Sequence, residues 1–297
     1  MYFFATLFGV VPLGWMRGVG RAALSGLFPF FRRQRLIAEE SLALAYGDEK
    51  TVAEQGRILR ECFVSIVDNG AEVLYYYLYH PEKLSAVMSV SGRERLDAAL
   101  ARGRGVLMVA AHYGNFPLMV MHMALLGYPV SVVVRPLRDA RAEGFLYKKG
   151  IAGRFETIYS MPRAKCVARV LRALGENRIV FILADQNFGS TGGVYVDFFG
   201  RPAATAPGPV IFARRSGAAV LPVFTYRKDR DRHQVDIHAP FILQEKDSEE
   251  ETLRYNMAGL TRIIEREIRR RPREWAWMHR RWKNRPPGRK TNETENQ

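Results

Sequence analysis

The run Gly105-Val-Leu-Met-Val-Ala-Ala-His112-Tyr-Gly-Asn115-Phe-Pro117-Leu-Met119 constrains the fold of this chain more than any other stretch. The apolar residues Val106 to Ala111 read as a strand buried on both faces. Gly114 turns the chain and Asn115 takes the capping position of a following helix. Pro117 falls in that helix's first turn, where no helical hydrogen bond is lost. A strand that feeds a helix in this way belongs to an α/β sheet. It leaves His112 at the open end of the sheet, where such folds bind ligands.

The rest of the chain repeats the pattern. Short apolar strands at Val130 to Val134, Ile179 to Ala184 and Ala219 to Tyr226 alternate with helices. The helices run from Arg93 to Ala101, from Phe116 to about Leu126, and from about Pro209 to Ser216, with another marked by Val167, Val170, Leu171 and Leu174. Val235 to Ile237 reads as a partner strand, and Leu253, Met257, Leu260, Ile264 and Ile268 mark a last long helix. This alternation predicts a mostly parallel central sheet flanked by helices on both faces. Ahead of it stand a short helix, Arg35 to Tyr46, and a long one, Thr51 to Tyr79, stopped by Pro81. With 297 residues and 47% hydrophobic content, one substantial core is expected. The chain divides into an N-terminal membrane-associated segment (1–33), an α/β domain (34–283) and a polar tail (284–297).

The net charge is +15 and the sequence pI about 10.1, which calls for an anionic partner. Met1 to Met16 carry no charge, and Arg17, Arg21, Arg32 and Arg33 follow among apolar residues. The run is shorter than the ~20 residues of a spanning helix, Pro12 interrupts it, and neither a basic start nor a cleavage site of a secretory signal is clear. It reads as an anchor lying in one leaflet, with arginines at the phosphate level. A buried N-terminal helix is the alternative. Arg138, Arg141, Lys148 and Lys149 form a basic helical stretch suited to solvent or acidic lipid, and Trp275, Trp277 and Trp282 among arginines suit a membrane–water boundary. Cys62 and Cys166 sit on apolar helix faces and have no metal spacing, so they read as buried thiols in a reducing compartment. No metal site and no nucleic-acid module is expected.

His112 is the first candidate for chemistry. The helix N-terminus beside it disfavours the charged imidazole, leaving the form a general base needs. The N–H groups of the same turn suit a phosphate or a developing oxyanion. His122 lies further along the helix, towards packing or solvent. Asp185-Gln186-Asn187 directly follows a buried strand, so these side chains emerge at the same sheet edge, or else form a polar turn capped by the aspartate. Gly189, Gly192 and Gly193 make a permissive loop without the lysine of a P-loop. Phe198 and Phe199 line an acyl channel or simply pack. Arg201 and Thr205, just before Pro207-Gly208-Pro209 and a helix start, suit a phosphate site. Arg135 points from the end of its strand to the same edge.

Three blocks carry a family resemblance. They are "AAHYGNFPLM" around His112, "ADQNFGSTGGVYVDFFGRPAATAPGPVIFARRSGAAVLPVF" from Ala184 to Phe224, and "EWAWMHRRWKNRP" from Glu274 to Pro286. Their order and spacing resemble the lipid A late acyltransferases, within the larger glycerolipid acyltransferase group. Arg135 resembles that family's basic position after its second strand, and the apolar N-terminus its membrane anchor. The resemblance implies a glycerolipid acyltransferase-like α/β fold at the cytoplasmic face of the inner membrane. It implies transfer of an acyl chain from a thioester of acyl carrier protein or coenzyme A, with no further cofactor, to a hydroxyl of a lipid A precursor or another membrane lipid. His112 would be the general base, and Asn115, Arg135, Gln186, Asn187, Arg201 and Thr205 would bind substrate. Anionic lipid and an acidic carrier would be its partners, not nucleic acid.

The family motif is His-x-x-x-x-Glu or Asp, and here its acid is Pro117. Three readings follow. Asp185 orients His112 instead; His112 works alone beside its helix N-terminus; or the protein binds acylated ligands without turning them over.

Overall fold

The computed structural model describes residues 10–136, 154–189, 192–284 and 286. The basic stretch from Asp139 to Lys149 and most of the C-terminal tail lie outside them. Three helical elements come first: α1 (Leu13–Leu27), α2 (Arg32–Tyr46), joined to it by the 3-10 turn Phe28–Phe31, and α3 (Val52–Glu72). A capping box opens α3, where the Thr51 hydroxyl accepts from the Glu54 N–H while the Glu54 carboxylate accepts from the Thr51 N–H. The long helix expected to Tyr79 is α-helical only to Glu72 and widens into a π-helical turn, Val73–Tyr79, that buries Tyr76 and Tyr77. Helix α4 (Pro81–Val87) follows directly.

A seven-stranded sheet forms the centre. In chain order its strands are β1 (Met88–Ser91), β2 (Val106–Ala110), β3 (Val130–Val134), β4 (Glu156–Tyr159), β5 (Ile179–Leu183), β8 (Ala219–Arg227) and β9 (His233–Ile237). Their order across the sheet is β1-β9-β8-β2-β5-β3-β4. Strands β8, β2, β5, β3 and β4 run parallel, while β9 returns antiparallel to β8 and carries β1 parallel to itself. The mostly parallel sheet is as expected, and β1 and β4 extend it at both edges. Every residue of β2 is buried. Alternation sends Leu107 and Val109 into one core and Val106, Met108 and Ala110 into the other, so the sheet is covered on both faces.

Helices α5 (Arg93–Leu100), α6 (Phe116–Leu125), α7 (Arg163–Gly175), α8 (Gly208–Ser216) and α9 (Glu249–Arg270) supply the cover. A separate hairpin, β6 (Val194–Phe198) with β7 (Arg201–Thr205), packs on α9. Its second strand, Arg-Pro-Ala-Ala-Thr, has no strand alternation in the sequence and is set by its pairing with β6.

The N-terminal segment corrects one expectation. Helix α1 lies against α3, and Arg17, 3% exposed, pairs with Glu72 and Asp231. Arg21 pairs with Asp68. These two arginines therefore hold the helix to the domain rather than stand free at a phosphate level. The opposite side of the segment stays apolar and open at Trp15, Val19, Leu27 and Phe30. Among the described residues no helix is long and apolar enough to cross a membrane. A second correction concerns the tryptophans. Trp275 and Trp277 are fully buried and pack with Phe198 and Phe199 in the core, so they are not boundary anchors.

Candidate active site

Strand register brings the site together. Ala110 of β2 pairs with Leu183 of β5, so two residues beyond each strand end His112 and Asp185 emerge side by side. The His112 N–H donates to Asp185 Oδ2 at 2.9 Å, and His112 Nδ1 lies 2.8 Å from Oδ1. The Trp275 indole N–H also donates to Oδ2, at 2.7 Å. The carboxylate is fully enclosed. Burial alone would push its pKa up. The charge and hydrogen bond of His112, with the indole donor, outweigh that and hold the carboxyl well below the usual range. An ionised carboxylate only accepts, so the imidazole proton sits on Nδ1 and Nε2 presents its lone pair. Gln186 Nε2 stands 3.1 Å from that Nε2. The His112 side chain is 21% exposed, so its outer nitrogen can be reached from outside while its inner one is held.

The turn that follows is clamped from the C-terminal segment. The Gly114 N–H donates to the Glu274 carbonyl, and the Ala276 N–H to the His112 carbonyl. Gly114 has φ +57°, and a Cβ there would come within 1.8 Å of the Thr225 carbonyl oxygen, so only glycine fits. Asn115 stands at the cap position of α6, but its side chain does not cap. It donates to the Asn69 carbonyl and to Glu72. Asn115 is buried and its amide nitrogen is engaged inward, away from the open side of His112. Pro117 is in the first turn, as expected.

Other expected site residues are not brought together. Asn187 is tied to Asn284. Arg201 and Thr205 are opposite ends of β7, about 13 Å apart by strand rise. The Arg201 guanidinium donates to the Leu44 carbonyl, and the buried Thr205 hydroxyl accepts from Arg281. The phosphate site drawn from that pair does not form. Arg135 directly follows β3, at the same sheet edge as His112, and is exposed. Phe198 and Phe199 both pack inside. His122 is buried, and burial lowers its pKa. Cys62 and Cys166 are buried free thiols, the Cys62 thiol pushed up to about 12 by burial. No cluster of metal-ligating residues occurs among the described residues.

Sequence reasoning missed the two residues that complete the site. Trp275 holds Asp185, and the His279 ring lies 4.7 Å from the His112 ring, centroid to centroid. Both lie in the Glu274–Pro286 block, whose composition suggested a surface. No local pattern shows that a segment far along the chain returns to this strand edge. Arg281, from the same segment, is buried and donates to the Ala204 carbonyl and Thr205, with burial drawing its pKa down to about 10.

Burial chiefly, with His112 adding and Asp185 opposing, lowers the pKa of His279 to about 4 from an ordinary 6.5. Between those values the unfolded chain binds the extra proton and the native one does not, so stability falls as pH drops from 6.5 to 4. The loss attributable to this ring is about 3 kcal/mol. Urea melts across that window are expected to show a shallower pH slope for His279→Gln than for the parent. Parallel slopes would remove His279 from the account.

A buried carboxylate grips the inner nitrogen of a histidine at the end of a parallel sheet, an arrangement chemically able to accept a proton at the outer nitrogen. The profile of the bacterial lipid A biosynthesis acyltransferases matches residues 1–284, and the chain belongs to that family of enzymes. It is 28% identical to the lipid A biosynthesis palmitoleoyltransferase of Escherichia coli (strain K12), over 88% of this chain and 82% of the relative. It is 27% identical to the lauroyltransferase of the same strain, over 91% and 85%. A phosphatidylinositol mannoside acyltransferase of Mycobacterium tuberculosis (strain CDC 1551 / Oshkosh) is 31% identical over 48% of this chain and 45% of its own.

Proposed function

We propose that this acyltransferase moves a fatty acyl chain from a thioester of acyl carrier protein or coenzyme A to a hydroxyl of a lipid A precursor or another membrane lipid. His112 is the general base and Asp185 its orienting carboxylate. The acceptor hydroxyl displaces the Gln186 amide from His112 Nε2 and gives that nitrogen its proton. The alkoxide oxygen attacks the thioester carbonyl, the carbon–sulfur bond breaks, and the departing thiolate takes the proton back from Nε2. Asp185 stays ionised and stabilises the transient imidazolium. The observation that carries this reading is the 2.8 Å contact between His112 Nδ1 and Asp185. It supplies the carboxylate that Pro117 lacks, and so favours turnover over mere ligand binding.

The open apolar side of residues 13–31, with Trp15 72% and Phe30 81% exposed, supports a seat in one leaflet of the inner membrane at its cytoplasmic face. Detergent-solubilised protein, a labelled acyl thioester and a membrane lipid extract test the whole. Labelled lipid is expected from the parent and not from His112→Ala, and the parent is expected to float with anionic vesicles. Equal label from both proteins would remove His112 as the base. No label from either, across several donors and acceptors, would leave a binding protein.

A further inference from the structure

A concave site lies apart from the His112–Asp185 pair. It is a groove of about 540 Å³ between α3, the end of β8 and the turn after α9. Lys50, Arg57, Lys228, Arg270, Arg271 and Arg273 line it. With Arg227 that makes seven cations against two carboxylates, Glu54 and Glu61, and Glu54 is occupied in the capping box of α3. Arg227 is spent on Glu72, Arg270 meets Glu267 at 2.9 Å, and Arg273 lies 3.5 Å from Glu274. Arg57 and Lys228 have no ion pair among the described residues. Arg271 is fixed with its guanidinium 3.6 Å from the centre of the Tyr226 ring.

The surplus of cations in a cavity of small-ligand size selects an anion. Several guanidiniums in one concave wall select an oxyanion with three or more acceptor oxygens over a lone carboxylate. The groove is also placed for use. Tyr226 and Arg227 end β8 at the same edge as His112, because β8 runs parallel to β2. The groove residues Pro272 and Arg273 lead straight into Glu274 and Trp275, which hold the Gly114 N–H and Asp185.

We propose that this groove binds a phosphate group, carried by the lipid that accepts the acyl chain. Its place in acyl transfer rests on the reading above, whereas its affinity for phosphate does not.

Binding is therefore measured without turnover, by calorimetry on the detergent-solubilised full chain carrying His112→Ala. The probes are dihexanoyl phosphatidic acid and inorganic phosphate. Saturable binding is expected, weakened at least about tenfold for each probe by Arg57→Glu with Lys228→Glu. Arg214→Glu with Arg215→Glu, the same charge change on exposed positions of α8, is expected to leave it as it is. Tighter binding of phosphatidic acid than of phosphate identifies a lipid headgroup, and equal binding a free anion. If the double variant melts early, Arg57→Ala alone is read in the same way. The proposal is overturned if neither probe saturates, or if the groove variant binds both as tightly as the parent. It is also overturned if acyl carrier protein binds through these residues while both phosphate probes fail.

Discussion

Asp185→Asn is expected to lower kcat by as much as ~10⁴ while changing KM little. The direction follows from hydrogen-bond polarity. Two donors, the His112 N–H and the Trp275 indole, converge on Asp185 Oδ2. An asparagine must turn its carbonyl towards them, which leaves its amide N–H facing His112 Nδ1. The imidazole then accepts at Nδ1 and carries its proton on Nε2, so the nitrogen that must receive the hydroxyl proton is already occupied. The negative charge that steadies the imidazolium is lost as well. The fold has little reason to change, since the amide keeps the same volume and the same two donors. Retention of more than about a tenth of kcat, against the loss expected for a wrong tautomer, would show that Asp185 is not the orienting group. Pro117→Glu is the companion measurement. Because Asp185 already grips Nδ1, returning the family's carboxylate to position 117 is expected to bring no gain in turnover. A gain would mean that His112 had lacked a partner.

The strand-turn-helix around His112 was legible because each of its parts has a local cause. These are an apolar run, a glycine forced to positive φ and a proline allowed in a first turn. Asp185 was reachable by the same reasoning, since a polar residue just past a buried strand must stand at the sheet edge. Its contact with His112 needed the β2–β5 register, which no local pattern encodes. Trp275 and His279 were hidden for a related reason. Their segment bonds to the 112–114 turn through backbone groups, and those carry no side-chain signature. Arg201 and Thr205 look like one cluster in the sequence because only three residues separate them, and their extension into β7 draws them apart. Asn115 is a capping residue type that does not cap, because a buried carboxylate claims its amide first.

That carboxylate gives the largest expected effect on stability. Glu72 continues the buried stripe Ile58, Cys62, Ser65, Asp68 along α3, and a charge on such a stripe is the one sign of it in the sequence. Its side chain is fully buried. It accepts hydrogen bonds from Arg17, Arg227 and Asn115, and His233 Nε2 lies 2.9 Å away. Burial would raise its pKa, but His233 and Arg227 outweigh it, and the carboxyl is held well below the usual range. Four parts of the fold meet on this one group: α1, α3, the β8–β9 hairpin and the turn after His112. Glu72→Ala leaves two guanidiniums in the interior with their principal anion gone. Arg17 then keeps only the exposed Asp231, and Arg227 keeps Asn69 and the Arg230 carbonyl. Removal of one partner from a buried ion pair costs about 3–5 kcal/mol. For a chain of this size that corresponds to a fall in Tm of about 5–8 °C. Replacing both partners, Glu72→Met with Arg17→Met, leaves one fewer orphaned charge and is expected to cost less than Glu72→Ala alone. The order of the two melting temperatures decides the matter. If the double replacement melts lower, the loss comes from the pair's own attraction and not from stranded charge. If Glu72→Ala melts within about 1 °C of the parent, the cluster is not what docks α1 to the domain.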